Sequence, residues 1–346
     1  MTGSHALRPR YNPAAIRKTL LGFIASAALA ATAFAQGGSC DRACLNRIAD
    51  AYIASLVAHD PSKAPLAPNL KFTEQAQVRT VGEGLWKTAV EGPTTFRIPV
   101  ADPVSGQIGV ILMMKANVPP PPARAGGPPP TPGPQAVQLA LRLKVENQKI
   151  TEAEHVYAVI AAPGQLANLQ EPRKPFFTVV PPRERSKRNV MLLLGNAYYD
   201  ALMQSNGQVA PFGDDCGRRE NGMHTAGVGA PANATTPFGP VQGCAEQLDS
   251  RAMSYITSID LRRVTIVDEE RGLVFGLSMF RHPMTEKSVT IINKDGSASQ
   301  RPMPFDPFDL EAAHIFKISG DKIHEIEAMG FTLPLYSKNG WSPFLR

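Results

Sequence analysis

Two stretches of this chain read almost alike. The later one, Asp309 to Phe331 (DLEAAHIFKISGDKIHEIEAMGF), alternates apolar residues on both sides of Ser319-Gly320-Asp321. That is the pattern of two antiparallel strands joined by a tight turn, with Gly320 able to take a positive φ. The earlier one, Leu139 to Ala158 (LALRLKVENQKITEAEHVYA), repeats it. A shift of 173 residues pairs Leu143 with Phe316, Val145 with Ile318, Ile150 with Ile323, Glu152 with Glu325 and Glu154 with Glu327. A chain that carries the same supersecondary pattern twice reads as two copies of one unit.

Other segments repeat in the same order. Asp41 to Leu56 places Leu45, Ile48, Tyr52 and Leu56 at helical spacing behind a capping Asp41. Asn189 to Met203 matches it, with Tyr52 facing Tyr198 and Leu56 facing Leu202. The strands from Thr94 to Val100 and from Gly109 to Ala116 match Arg262 to Val267 and Leu273 to Phe280, so Arg97 pairs with Arg263 and Gly106 with Gly272. Between helix and strands lies an irregular segment, where Glu220 and Thr225 align with Glu83 and Thr88, and a polar helical stretch runs from Ala245 to Ile256. Asn117 to Pro134 is too rich in proline and glycine for sheet interior and reads as a hairpin excursion. Arg281 to Asp306 is its counterpart.

The predicted organisation is a first unit over 40–162, with its excursion at 117–134, a proline-rich connector over 163–188, a second unit over 189–335 and a tail over 336–346. Each unit is expected to wrap a curved, mainly antiparallel sheet round a helix, giving an α+β cone with an apolar interior. Packing the two sheets back to back would hide their outer faces, as an intrachain pseudo-dimer. Further homo-oligomerisation is left open.

The first residues carry a different signal. Arg8, Arg10, Arg17 and Lys18 precede an apolar run from Thr19 to Ala33 and then Ala33-Phe34-Ala35, which predicts a cleaved export signal over 1–35. The formal charge is +6; removing these four cations and no anion leaves the mature chain only mildly basic. That argues against a nucleic-acid partner, and no stable membrane insertion is expected after cleavage. Export to the periplasm or exterior permits disulfides. Cys216 and Cys244 bracket a loop-rich stretch and are expected to pair, and Cys40 can pair with Cys44 across a helix start, although four cysteines allow three connectivities. No metal-ligand spacing is present, and no metal or cofactor is expected.

The helix CLNRIADAYIASL, the acidic segment FGDDCGRRENG and the paired long strands with a Gly/Asp hairpin resemble the nuclear-transport-factor-2-like superfamily, with its SnoaL-like and ketosteroid-isomerase-like members. Within it the chain looks most like a tandem, secreted, largely uncharacterised family. The resemblance spans roughly Cys44 to Leu335 and rests on element order and periodicity. It implies two tandem cone-shaped units of this superfamily. Members include cofactor-free isomerases, dehydratases, epoxide hydrolases and lyases, and also non-catalytic binding proteins, so the fold does not settle the function.

The second unit is richer in chemistry. Tyr198 and Tyr199 would floor its cone, and the acidic segment would line the pocket mouth. A carboxylate in an apolar cone gains basicity by desolvation, and a tyrosine or histidine can donate to a developing oxyanion. The expected catalytic set is Asp215 or Glu220 as base, His224 as acid/base partner, Tyr198 as donor and Arg219 as anion-orienting group. Tyr199, His314, Phe316 and His324 are the expected substrate-binding residues, His324 because strand alternation sets it opposite Glu325 and Glu327. The plainer alternatives are a core role for Tyr198, surface pairing of Asp214 and Asp215 with Arg218 and Arg219, and a polar sheet face for Glu325 and Glu327. The function read from this pattern is a cofactor-independent lyase or isomerase acting on a small apolar molecule, aromatic ones included. The alternative is a non-catalytic extracytoplasmic small-molecule-binding protein.

Overall fold

The computed structural model describes residues 40–120, 132–229, 235–236, 239–240 and 242–341, with backbone alone at 235–236 and 239–240. The expected export signal at 1–35, the middle of the proline excursion and residues 342–346 lie outside the described residues.

The first helix, α1 (Arg42–Val57), starts where the Asp41 carboxylate accepts the Cys44 N–H at 2.7 Å. This satisfies one of the amides a helix start leaves open. Its buried stripe of Leu45, Ile48, Ala49, Tyr52, Ile53 and Leu56 faces a seven-stranded sheet. That sheet contains β1 (Leu66–Glu74), β2 (Gln77–Val78), β3 (Ala89–Glu91, after the short helix α2, Leu85–Thr88), β4 (Arg97–Asp102), β5 (Gln107–Ala116), β6 (Gln135–Glu146) and β7 (Lys149–Val159). The order is β2-β1-β7-β6-β5-β3, with β4 also on β5; every pairing is antiparallel except β1 with β7.

After α3 (Pro163–Asn168) the pattern returns as α4 (Arg188–Gln204), β8 (Phe212–Glu220) and β9 (Met223–Gly227). The two-residue strands β10 (Thr235–Thr236) and β11 (Gly239–Pro240) pair with each other. The helix α5 (Cys244–Asp249) is shorter than the stretch expected to Ile256. It leads into β12 (Ser258–Asp268) and β13 (Leu273–His282). The second excursion folds as its own hairpin, β14 (Ser288–Ile292) with β15 (Ala298–Pro302). The long strands β16 (Phe308–Ser319) and β17 (Lys322–Pro334) close a six-stranded sheet in the order β12-β13-β16-β17-β8-β9. Here too only the β8–β17 pairing is parallel. The fold is therefore α+β, two tandem cone-shaped units, each a helix against a curved, mainly antiparallel sheet. Both long hairpins turn through two residues of positive φ, Asn147-Gln148 and Gly320-Asp321, as the right-handed twist of the flanking strands demands.

The ladders correct one alignment read from the sequence. In the first unit Glu74 lies opposite His155; in the second Glu220 lies opposite Ala328. His155 and Ala328 are separated by the same 173 residues as the rest of the hairpins. Glu220 is thus the counterpart of Glu74, not of Glu83, and the segment taken as irregular is strand β8. Its charged residues hid it, because a strand is legible only where one face is apolar.

The backs of the two sheets share an apolar core that includes Ile98, Ile111 and Val156 from the first and Ile266, Phe275 and Ile315 from the second. Gly109 of β5 makes close packing possible there, since a Cβ at that point would overlap the Phe275 ring. The connector is wedged into this interface: Phe176 is fully buried, and Arg173 pairs with Glu325 and, at 3.1 Å, with Glu327. The tail crosses to the first unit, where the Trp341 N–H donates to the Thr73 hydroxyl at 2.8 Å and its ring lies under Lys71 and Arg142. Both expected disulfides are formed, Cys40–Cys44 and Cys216–Cys244. Among the described residues no helix is long and apolar enough to cross a membrane.

The interface also holds strained acids. Burial pushes the Glu327 carboxyl up to about 7, against the pull of Arg173 and Arg219. Burial, then the charge of Glu154, raises Glu311 well above the ordinary 4.5. Below the unfolded value both groups are neutral in either state and contribute no penalty. As pH rises past it, the unfolded chain releases protons that the fold keeps, so stability falls until the folded values are passed. Below about pH 6.5 the buried neutral His282 and His314 act in the opposite sense, because their unfolded forms bind protons that the fold does not, so the urea midpoint of the wild type should decline between about pH 6.5 and 8 by an amount worth a few kcal/mol. Glu311→Gln should flatten that decline, and an unchanged slope would remove Glu311 from the explanation.

Candidate functional site

The second cone contains a cavity of about 170 Å³. Its apolar wall comes from Leu202 of α4, Met253 and Ile256 after α5, and Phe280, Leu310 and Ala312 of the sheet. Its polar side chains include Tyr198, Glu220, Asn221, Tyr255, His282 and His314, with Gln165 from α3.

Strand alternation on β8 turns Arg218 and Glu220 to the same face and Arg219 to the other. Arg218 is buried, and it ties the polar side of the cavity together. Its Nε lies 2.9 Å from Glu220 Oε1 and donates to the Thr225 hydroxyl at 2.9 Å. Its Nη1 donates to the Tyr198 hydroxyl at 3.3 Å, and its Nη2 donates to Gln247. Gln247 in turn donates to the Thr225 carbonyl at 2.5 Å. An arginine that is 1% exposed is tolerable only because all three guanidinium nitrogens have partners.

Burial holds the Tyr198 hydroxyl neutral by pushing it up to about 12; Arg218 pulls it down and Glu220 pushes it up. Its proton is free to point into the cavity, since the oxygen already accepts from Arg218. His314, on β16, is lowered to about 3 by burial and by Arg218, so it is a neutral imidazole. The Tyr199 hydroxyl sits 3.1 Å from its Nδ1. His282 is lowered to about 4 by burial; it stacks on Phe308 at 4.2 Å, and its Nδ1 has no hydrogen-bond partner. Aromatic, neutral and charged groups thus cluster about one buried hollow, as in a small-molecule site.

Of the nine residues expected to act on or bind a substrate, Tyr198, Glu220 and His314 line this cavity. Tyr199 and Phe316 stand behind them in the core, against His314 and Tyr198. The other four lie outside the lining. Asp215, 70% exposed, is held by His324 Nδ1 at 2.6 Å on the surface. A bulge in the β16–β17 ladder leaves His324 as the extra residue, so Ile323 and Ile326 both reach the core while His324 is turned out. Arg219 faces the sheet back, donating to the Asn168 carbonyl at 3.1 Å. His224 lies opposite Arg219 in the ladder, on that same side, with Nε2 3.3 Å from the Gly227 carbonyl. Burial, and then the charges of Arg219 and Arg173, lower its pKa.

Arg218 was available from alternation once β8 is read as a strand. Tyr255 and His282 carry no local pattern that would single them out; their position depends on where the β14–β15 hairpin and its flanks pack.

The family described as "Domain of unknown function (DUF8021)" matches residues 184–330, which covers most of the second unit and less than half of the chain. No curated protein matches it. Among solved structures, AclR from Streptomyces galilaeus is 15% identical over 41% of this chain and 92% of its own, with a TM-score of 0.26. An LEH-like epoxide hydrolase from M. tuberculosis is 11% identical over 43% and 86%, with a TM-score of 0.24. A protein of unknown function with a cystatin-like fold from Methylobium petroleophilum is 10% identical over 37% and 84%, with a TM-score of 0.26. Likenesses this slight carry no argument about activity, which has to come from the cavity itself.

Proposed function

We propose that the second unit is a cofactor-independent proton-transfer enzyme, a lyase or isomerase, acting on a small, largely apolar molecule. The observation behind this reading is that a carboxylate, Glu220, and a neutral phenol, Tyr198, border one apolar-walled cavity. Glu220 takes a proton from carbon next to a carbonyl, and the electron pair moves onto the carbonyl oxygen. Tyr198, its oxygen fixed by Arg218, donates to that developing oxyanion. The proton then returns at another carbon, or a β-substituent leaves. The two units are assigned to 40–162 and 189–335, joined by 163–188. Export follows from the leader-like segment at 1–35 and accords with two disulfides.

One observation favours binding without turnover: the Arg218 guanidinium lies 2.9 Å from Glu220, so the carboxylate already has a charged partner within the protein. The two readings separate in a deuterium-exchange assay with small cyclic ketones in D2O. The enzyme reading expects exchange at the α carbon, falling about 10²–10⁴-fold in Glu220→Gln, the usual loss of a positioned base. Tyr198→Phe should lower it about 10²–10³-fold, as for other oxyanion donors. No exchange above background, with a small molecule retained in native mass spectrometry, would leave only the binding reading.

A further inference from the structure

The first unit provides an internal reference for the cavity. Across β6, β7 and β1 it places Leu141, His155 and Glu74 in one row. Across β16, β17 and β8 the second unit places His314, Ala328 and Glu220 in the equivalent row. In the first unit His155 fills the space between helix and carboxylate. Its Nδ1 lies 3.0 Å from Glu74 Oε2, and its Nε2 lies 3.0 Å from the Tyr52 hydroxyl. A carboxylate accepts, so Nδ1 carries a proton, and in the neutral ring Nε2 is then the acceptor to which the Tyr52 hydroxyl donates. Trp86 and Phe72 close over this chain of hydrogen bonds edge-on, and His155 is completely buried. In the second unit the same point carries Ala328, and Ala328, Glu220 and Tyr198 all border the cavity. Tyr198 is the counterpart of Tyr52 and Glu220 of Glu74. The imidazole has in effect moved one strand over, to His314, where Tyr199 rather than Tyr198 holds it.

We propose that the cavity beside Ala328 takes a ligand whose polar part reproduces the missing imidazole: a small neutral azole-like ring with an N–H facing Glu220 and an acceptor nitrogen facing Tyr198. Resting on the reading of this cavity as a small-molecule site, the proposal names the ligand chemistry. The hollow also sets the size. A dry cavity near 150 Å³ accommodates one benzene-sized ring, so about 170 Å³ suits a five- or six-membered ring with little substitution. Arg218 already donates to Tyr198, so the hydroxyl proton is left for the ligand. Ala328 is then the residue that determines specificity, since any larger side chain fills the binding space.

The test is thermal denaturation with imidazole and with 1-methylimidazole, which lacks the N–H, at pH 8.5 where both are neutral. Imidazole is expected to raise the melting temperature saturably, with an affinity at least tenfold above that of 1-methylimidazole. Ala328→His should abolish that response. The reciprocal variant, His155→Ala, should melt lower and be restored by imidazole; it also carries the test if Ala328→His does not fold. Equal responses to both probes, or an imidazole response that survives in a folded Ala328→His, would overturn the proposal. Azole failure together with Glu220-dependent exchange on ketones would overturn the ligand assignment and leave the proposed activity standing. Failure of both assays would overturn the site reading as well.

Discussion

Arg218→Met is expected to destabilise the protein by about 3–5 kcal/mol, the range found when one member of a buried ionic network is removed. Methionine matches the length of the arginine stem, so little of the loss would come from a void. The loss would come from the groups left behind. Glu220 would lose the cation 2.9 Å away, and Gln247 and Thr225 would lose their charged donor inside the core. Replacing the whole network by apolar residues need not carry this cost, because the penalty belongs to unpaired polar groups rather than to the missing attraction. Urea unfolding monitored by near-ultraviolet circular dichroism measures it directly. A loss below about 1 kcal/mol, the usual size for a surface ion pair, would mean that solvent reaches the guanidinium and that Arg218 does not organise the cavity.

The second large effect is expected at the interface between the sheets. Glu154 of β7 receives both terminal nitrogens of Arg263 from β12, at 2.7 and 2.6 Å, and Arg142 Nε at 2.9 Å. Burial alone would push this carboxyl up, but Arg263 and then Arg142 outweigh it and hold it below the ordinary glutamate value. Glu154→Ala should cost about 3–5 kcal/mol, because Arg263 loses both of its contacts to the carboxylate and Arg142 is left with Glu152 and Gln107. The same change should let Glu311 ionise more readily, since the Glu154 charge is one of the causes that raise it. The signature is thus a lower urea midpoint at every pH together with a shallower decline from about pH 6.5 to 8. A uniform drop with an unaltered pH slope would show that the two carboxyls do not sense each other.

These two arginines also mark the limit of what sequence reading could reach. The hairpins around Asn147 and Gly320 were legible, because alternation and turn chemistry are local. So were α1 and α4, whose apolar residues recur at helical spacing, and the Cys216–Cys244 closure of a loop-rich stretch. Tyr198 could be named because it lies on the repeated helix, and Glu220 only because the resemblance sets the acidic segment at a pocket mouth. Asp215, His224 and Arg219 looked equal to them in the sequence. They differ only by which side of β8 and β9 they face, and β8 was not recognisable as a strand. The error at His324 has a single cause, the bulge that breaks alternation on β17 between Ile323 and Glu325.

From the sequence by itself come the duplication, the α+β class and the pairing of two long hairpins, since each follows from periodicities carried within a few residues. Only the tertiary structure decided that an imidazole stands between phenol and carboxylate in one cone while a hollow borders that pair in the other. That difference depends on whether the imidazole sits on the β7 or the β16 position of the same ladder row, and a row is made of residues far apart in the chain. Register between distant strands places His155 between Tyr52 and Glu74 and Ala328 beside Glu220, and no local pattern encodes it.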